Sequence, residues 1–262
     1  MRLPAPASPA FSPARAEEKL PLARNLGLLA VLPLAALQAI IVRRRVPRLP
    51  SARPPHHGSI AGRGRMLRIV AMGESSVSGV GLASGDQAVT AATARSLARM
   101  SGRPVSWRAL GRSGASVRKG IKHLLPSLSP EPADLLIVAF GANDVMDRPS
   151  PSGFADDLEE LIRAARERTG QPAVVIAGVA PLSSCPALPS PLRDVLGQRA
   201  QALQAAAERL SGRLPRLAVQ RLPPRLAPNL FGIDGFHPNA RAHAIWGEQI
   251  AALALPLVDS GG

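Results

Sequence analysis

The sequence is poor in cysteine and in aromatic residues. Among its 262 residues Cys185 is the one cysteine, tyrosine is missing, and aromatic side chains make up 3%. A single thiol excludes an intrachain disulfide and a cysteine-based zinc site, and no activating base stands near Cys185 in the sequence, so we expect an inert thiol. The shortage of aromatic rings argues against base-stacking surfaces for single-stranded nucleic acid.

Charged residues are also scarce, and acidic ones most of all. Charged residues make up 19% of the chain against 46% hydrophobic residues, a balance typical of a folded domain with a large core. The formal net charge is +14, and residues 1–65, with 11 basic and two acidic residues, account for +9 of it. The positive charge is concentrated in an N-terminal arm, which favours a membrane-proximal segment, and we predict no nucleic-acid partner.

The N-terminal arm divides into three stretches. Residues 1–24 are rich in Pro and Ala and are predicted to be disordered. Residues 25–42 carry no charge, and as a helix they would span about 27 Å, close to the hydrocarbon thickness of a bilayer. Residues 43–65 begin with three arginines and form a basic linker rich in Pro and Gly. The sequence thus predicts a transmembrane or anchor helix over 25–42, in front of a folded domain over 66–262.

The flanking charges predict how this helix is oriented. More basic residues follow the segment than precede it, so the positive-inside rule places the domain on the cytoplasmic side of the inner membrane. If the segment acts instead as an export signal, the domain is secreted or periplasmic. The sequence leaves the oligomeric state open.

From residue 66 onward, short apolar runs alternate with longer helical stretches. The runs are predicted to be strands, at 67–72, 105–110, 134–140, 172–180 and 217–219. The longer stretches are predicted to be helices, at 86–101, 154–168, 191–212 and 239–254. Strands of nearly continuous apolar character, separated by helices, form a parallel sheet that is buried on both faces. We therefore predict a three-layer α/β/α domain of the flavodoxin-like, doubly wound type, with a mostly parallel sheet of about five strands and ligands at the carboxyl ends of the strands.

Residues suited to catalysis stand in the turns where ligands gather. Gly-Glu-Ser-Ser at 73–76 follows the first strand, and Asp-Gly-Phe-His at 234–237 precedes the last helix. A serine hydroxyl becomes a good nucleophile when an imidazole takes its proton, and a carboxylate holds that imidazole in the correct tautomer. Ser75, His237 and Asp234 are the candidates for these three roles.

Groups that could stabilise an oxyanion follow the next two strands. Gly-Arg-Ser-Gly occupies 111–114, and Gly-Ala-Asn-Asp occupies 141–144. A backbone N–H at a glycine turn and a fixed asparagine amide are suitable donors for a developing oxyanion. Each motif alone is weak evidence, but four of them in order at the ends of elements predict nucleophilic acyl transfer.

The four motifs resemble the sequence blocks of the SGNH hydrolase family, also called the GDSL-type hydrolases. Ser75 matches the family's block I nucleophile, Gly114 the block II glycine, and Asn143 the block III asparagine. Asp234 and His237 match the block V Asp-x-x-His. The resemblance implies an SGNH-type fold, ester hydrolysis on the serine, and an oxyanion hole. The donors of that hole would be the N–H groups of Ser75 and Gly114 and the side-chain amide of Asn143.

The resemblance covers residues 66–254 and shows two departures from the family pattern. Glu74 stands where the family has aspartate, and Ala109 stands where asparagine often precedes the block II glycine. We expect Glu74 to help fix the nucleophile turn and to retune activity rather than abolish it. Ser76, the next residue after the matched serine, is the less favoured alternative for the nucleophile.

The sequence gives a weaker indication of the substrate. Residues 181–191 are apolar and rich in Pro, and they form either a wall of the acyl pocket or an ordinary connection. As a wall, this stretch would place Leu182 and Leu188 against the acyl group and favour lipophilic esters, for example lysophospholipids at a membrane. No metal or organic cofactor is implied. Two alternatives stay open: a carbohydrate O-deacetylase on the same fold, and a catalytically silent, membrane-tethered binding module.

Overall fold

The computed structural model of the protein describes residues 22–259, with side chains from residue 31 onward. Of the tail predicted over residues 1–24, all but the last three residues lie outside this part of the chain. In chain order the helices and strands are α1 (Leu22–Arg45), β1 (His57–Ile60), β2 (Leu67–Gly73), α2 (Ser75–Ser78), α3 (Val89–Ser101), β3 (Val105–Gly111), α4 (Val117–His123), β4 (Leu135–Ala139), α5 (Ala142–Asp147), α6 (Pro151–Thr169), β5 (Ala173–Ile176), α7 (Leu192–Glu208), β6 (Leu217–Val219) and α8 (Ala240–Asp259).

The described strands form one sheet of six in the order β1-β3-β2-β4-β5-β6. Strands β2 to β6 run parallel, and β1 lies antiparallel to β3 at one edge. The predicted mostly parallel sheet is confirmed, with one strand more than the sequence indicates. The additional strand, β1, lies in the stretch that the sequence assigns to a linker. Its four residues alternate between exposed and half-buried and contain no apolar run, so the pattern does not reveal it.

Helices cover both faces of the sheet. Helices α4, α6 and α7 pack on one face, where Phe154, Leu158 and Leu203 are buried in one hydrophobic cluster. Helices α3 and α8 pack on the other face, in a second cluster that includes Leu97 and Ile250. All five residues of β4 are buried, because this strand lies between the two layers. The predicted three-layer arrangement is thus confirmed, and each Leu or Phe that is buried in it contributes roughly 2 kcal/mol of hydrophobic stabilisation.

The helix α1 packs against α7 along one of its faces. Ala35 is buried there, and the side chain of Gln38 makes two hydrogen bonds with the turn in front of α7. Its Nε2 donates to the carbonyl of Ser190 (2.8 Å), and its Oε1 accepts the N–H of Leu192 (2.9 Å). Among the residues that the structure describes, no helix is long and apolar enough to cross a membrane. The transmembrane helix predicted over 25–42 is therefore not supported, and the stretch belongs to a helix that a polar side chain attaches to the domain.

The chain between α1 and β1 lies on the surface of the domain, and we call residues 46–56 the strap. The N–H of Ala52 donates to the carbonyl of Ser78 (3.0 Å), and the N–H of Gly81 donates to the carbonyl of Pro50 (2.9 Å). Ala52 is buried in this contact. Since the strap covers the end of α2, the packed structure begins well before the predicted start of the domain.

Two glycines allow α2 to lie directly against the edge of the sheet. A Cβ on Gly111 would lie 2.3 Å from the backbone nitrogen of Ser78, and a Cβ on Gly73 would lie 2.4 Å from the carbonyl oxygen of Ala139. These are backbone atoms, so neither can move without shifting α2 or β4. Both positions require glycine because the backbones approach so closely, and this approach places the first residue of α2 at the sheet edge.

Gly111→Ala is expected to lower the free energy of unfolding by roughly 1–3 kcal/mol, because the added methyl group must displace the backbone of α2. Urea or thermal unfolding measures the loss. Gly212→Ala is the matched control, since a Cβ at that position meets no atom within 4 Å. Equal stability of the two variants would contradict the close packing of α2 against β3.

Candidate active site

The predicted site residues that follow strands lie at one edge of the sheet. Strands β3, β2 and β4 are parallel neighbours, so their carboxyl ends meet at the same edge. Ser75 begins α2 after β2, Gly114 stands in the turn after β3 with a φ of 77°, and Asn143 lies at the start of α5 after β4. A Cβ on Gly114 would meet no atom within 4 Å, so this turn borders open space.

Asp234 and His237 form a close pair in the turn before α8. The Nδ1 atom of His237 lies 2.6 Å from Oδ2 of Asp234, and Oδ1 of Asp234 accepts the N–H groups of Phe236 and His237, each at 3.0 Å. The Asp234 side chain is fully buried, whereas 19% of the His237 side chain is exposed. Burial alone would raise the pKa of Asp234, but the hydrogen bonds from the imidazole and from the two N–H groups outweigh it and hold the pKa below its ordinary value. The ionised carboxylate keeps a proton on Nδ1 and leaves Nε2 as the basic atom.

Ser75 and His237 line the same cavity, which has a volume of about 50 Å³ and which we call the active-site cavity. Ser76 lines it as well, so the cavity alone does not distinguish the two serines. Leu182 contributes to the wall, whereas Leu188 is 2% exposed within the hydrophobic core and does not belong to the residues around the cavity. The Pro-rich stretch after β5 thus supplies part of the wall and otherwise packs into the core.

Glu74 is a buried carboxylate that joins two of the turns at this edge. Its Oε1 accepts the N–H of Ala142 (3.0 Å), and its Oε2 accepts the N–H of Asn143 (3.0 Å). Oε2 also accepts a hydrogen bond from the side-chain amide of Asn143. Burial raises the pKa of Glu74 to about 7; these hydrogen bonds oppose the rise, and the charge of Asp144 adds to it. The side chain therefore fixes the turn after β2 to the start of α5.

The contact with Glu74 also orients the amide of Asn143. A side-chain amide has two N–H donors, and one of them is directed at the carboxylate. The direction of the other N–H is fixed as a consequence. The sequence assigns Glu74 to the nucleophile turn alone, since no local pattern points to a partner 69 positions further along the chain.

Asp144 supports the same region through a second buried contact. Its Oδ1 accepts the N–H of Val117 at the start of α4 (3.1 Å). Burial is the main cause that raises the pKa of Asp144 to about 6, and the hydrogen bond from Val117 opposes this rise. Asp144 thus connects α5 to α4, a role that the sequence motif does not indicate.

Two other side chains with reactive chemistry lie outside the wall of the active-site cavity. Cys185 is buried, and burial together with the charge of Asp234 raises the pKa of its thiol to about 12. His243 on α8 is fully buried, and burial lowers the pKa of its imidazole to about 4. Both groups are therefore neutral at pH 7. Within residues 22–259, no group of three or more His, Cys, Asp or Glu side chains could hold a metal ion.

The sequence profile of the GDSL-like Lipase/Acylhydrolase family matches residues 71–245. The chain therefore belongs to this family, which confirms the resemblance carried by the four motifs. The matched region begins within β2, before Ser75, and ends within α8, after His237. It thus contains every residue of the predicted site.

Individual relatives agree with this membership. The GDSL-like esterase Rv1075c of Mycobacterium tuberculosis is 30% identical to the chain over 188 residues, which are 68% of this chain and 59% of that protein. The chain spans about six-tenths of the length of the curated relatives it matches.

Solved structures share the fold at lower sequence identity. The crystal structure of TesA has a TM-score of 0.55 with this chain at 19% identity, covering 74% of this chain and 99% of TesA. A carbohydrate esterase family 2 enzyme of Corynascus thermopiles, solved with its carbohydrate-binding domain, also has a TM-score of 0.55, at 16% identity, covering 76% of this chain and 68% of that one. These likenesses support the assignment of the fold.

Glu74 is expected to make stability depend on pH. Its pKa of about 7 in the folded protein lies above its ordinary value of 4.5, so between these two values the folded state binds more protons than the unfolded chain, and stability falls as the pH rises. The amide in Glu74→Gln does not titrate. Between pH 4.5 and 7 we therefore expect the free energy of unfolding of the wild-type protein to fall by up to about 3 kcal/mol relative to that of the variant.

Urea unfolding of both proteins at a series of pH values measures this difference. Glu167→Gln, which removes an exposed carboxylate from α6, controls for the loss of one charge. If the free energies of unfolding of wild type and Glu74→Gln differ by the same amount at every pH, the raised pKa of Glu74 is wrong.

Proposed function

We propose that this protein is a serine ester hydrolase that forms an acyl-enzyme on Ser75. The observation that carries the proposal is the buried carboxylate of Asp234 bonded to the His237 imidazole, beside a cavity that Ser75 also lines. A serine, an imidazole and a buried carboxylate are the parts that nucleophilic acyl transfer requires. Membership of the GDSL-like Lipase/Acylhydrolase family supports the same reaction.

The reaction has two steps. In the first, Nε2 of His237 takes the proton of the Ser75 hydroxyl while the serine oxygen bonds to the carbonyl carbon of the ester. The tetrahedral intermediate collapses, its bond to the alcohol oxygen breaks, and the alcohol leaves with the proton from His237. In the second, His237 deprotonates a water that attacks the acyl-enzyme, and the carboxylic acid and free Ser75 result. Asp234 stabilises the imidazolium that forms in each step.

Three donors stabilise the oxyanion in this reaction: the N–H of Ser75, the N–H of Gly114 and the side-chain amide of Asn143. Ser75 is the first residue of α2, a position where an N–H has no partner within its helix. Gly114 borders open space, and Glu74 orients the Asn143 amide. Each preorganised donor of this kind lowers the barrier by about 3 kcal/mol.

Lipophilic esters are the substrates that we favour. Apolar side chains form much of the wall of the active-site cavity, among them Phe140, Leu182 and Phe236. Such a wall gains free energy from burying apolar surface of the substrate and offers few partners to a sugar hydroxyl. Lysophospholipid-like esters and short-chain lipophilic esters both fit this description, and they differ in the length of the acyl chain.

Carbohydrate O-deacetylation is the second candidate. A cavity of about 50 Å³ suits an acetyl group, and one solved structure with a similar fold is a carbohydrate esterase. Turnover of an acetylated xylo-oligosaccharide well above that of p-nitrophenyl butyrate would favour this candidate over lipophilic esters.

We further propose that α1 brings the protein to the surface of a membrane. The side of α1 that faces away from the domain exposes five large apolar side chains, each between 39% and 54% exposed: Leu32, Leu34, Leu37, Ile40 and Ile41. The exposed arginines at 43–45 follow directly in the same helix. An apolar face beside a basic cluster binds to membranes that contain anionic lipids. Because the cytoplasmic leaflet carries anionic lipids that attract basic segments, we propose the cytoplasmic side of the inner membrane, with export as the alternative.

Ser75→Ala is expected to lower kcat for p-nitrophenyl butyrate roughly 10⁴-fold or more, because alanine offers no nucleophile. Ser76→Ala, on the wall of the same cavity, is the matched control and should retain most of the activity. Mass spectrometry after reaction with an alkyl fluorophosphonate locates the modified serine. Loss of activity in Ser76→Ala alone would show that Ser76 is the nucleophile. A folded wild-type protein that neither reacts with the fluorophosphonate nor hydrolyses the ester would favour the catalytically silent binding module.

Flotation with vesicles tests the membrane proposal. The full chain should float with vesicles of phosphatidylglycerol and phosphatidylcholine, and much less with phosphatidylcholine alone. Replacing Leu34 and Leu37 by serine removes apolar area from the exposed face and should release most of the protein. Replacing Met66 and Ile245 by serine, two exposed apolar side chains away from α1, controls for the loss of exposed apolar area. Equal flotation of all three proteins would refute contact through α1.

A further inference from the structure

The active-site cavity extends from Ser75 into the layer formed by α3 and α8. On that side its wall is formed by Val89 at the start of α3 and by Trp246 and Ile250 on α8, and we call the space beside these three residues the far end of the cavity. All three side chains are buried and belong to the hydrophobic cluster between the sheet and these helices. The far end of the cavity therefore lies within the core.

The long polar side chains on the wall bond to the protein itself. Both carboxylate oxygens of Glu74 accept N–H groups at the start of α5. The Oε1 atom of Gln220 accepts the N–H of Gly178 (3.2 Å), and its Nε2 donates to Oε1 of Gln249 (2.8 Å). Since these groups are satisfied, the far end of the cavity offers little to a polar occupant and favours an apolar one.

The volume limits the size of that occupant. A dry apolar cavity of about 150 Å³ holds one benzene molecule, which corresponds to roughly 25 Å³ per carbon. The active-site cavity, at about 50 Å³, therefore has room for roughly two or three carbons. This is the chain that follows the carbonyl carbon in a propionyl or butyryl group.

We propose that the far end of the active-site cavity is the acyl subsite, and that Trp246 and Ile250 limit it to acyl groups of about two to four carbons. The inference rests on the proposed acyl-enzyme, since it is the acyl group that stays bound to Ser75 while the alcohol departs. An apolar end among buried side chains suits the group that remains, and the alcohol departs from the other end of the cavity.

The acyl subsite narrows the class of substrate. A long-chain lysophospholipid has an acyl group several times longer than the cavity can hold, so it is a poor substrate. An ester with a short acyl group and a large lipophilic alcohol fits this site. Its acyl group is short enough for the far end, and its alcohol can contact the apolar wall. Short acyl esters of lipophilic alcohols are therefore the substrates that this site selects.

Variants on the wall test the acyl limit, with kcat/KM of the full chain measured for p-nitrophenyl acetate, butyrate and octanoate. Wild type should hydrolyse octanoate at least about tenfold less efficiently than butyrate, because one misplaced methylene in an apolar pocket is worth about tenfold or more. Ile250→Ala opens the far end and should raise the ratio of octanoate to butyrate about tenfold. Val89→Leu fills the far end and should lower kcat/KM for butyrate relative to kcat/KM for acetate.

Leu253→Ala is the matched control, because Leu253 lies on the same helix and packs on the same cluster but does not line the cavity. It should leave both ratios unchanged. The proposed acyl subsite is wrong if wild type prefers octanoate, or if Ile250→Ala changes the ratios no more than Leu253→Ala does. Neither result contradicts the acyl-enzyme on Ser75. Labelling of Ser75 by an alkyl fluorophosphonate separates these results from failure of the proposed function: a folded wild type that is neither labelled nor active overturns both.

Discussion

The hydrogen bonds between Glu74 and the start of α5 hold the candidate site together. They connect the turn that carries Ser75 to the turn that carries Asn143, and the two turns belong to neighbouring strands. A buried carboxylate is costly unless it is well bonded, and this one accepts N–H groups on both oxygens. The position of the amide of Asn143 depends on these hydrogen bonds.

Much of the fold follows from the sequence pattern. The strands β2 to β5 are short apolar runs, and such runs are buried on both faces in a parallel sheet, so their existence and parallel arrangement could be predicted. The strand β1 could not, since Ile60 is the one large apolar residue among its four and none of them is fully buried, so the strand is stabilised by pairing with β3. The packing of α1 against α7 could not be predicted from the pattern either. It depends on hydrogen bonds between Gln38 and a turn about 150 residues further along the chain.

In the site, too, what a local motif carries could be predicted, and what depends on contacts between distant parts of the chain could not. Asp234 and His237 are three residues apart, so their pairing could be predicted from one motif. Ser75 could be placed near them because strand ends gather at one edge of the sheet. The bonds of Glu74 and the far wall of the cavity depend on contacts between elements distant in sequence. Leu188 illustrates the limit: its apolar neighbourhood suggested a pocket wall, and it lies in the core instead.

The pairing of β1 with β3 has a consequence for the molecule in solution. Because β1 covers that side of β3, the sheet ends in a strand of only four residues. Without the segment before residue 66, the seven-residue strand β3 would present a row of unpaired N–H and C=O groups at its outer edge. Such an edge is a template for pairing with a strand of another molecule. We therefore expect the pairing with β1 to limit such association, through residues that lie outside all four sequence motifs.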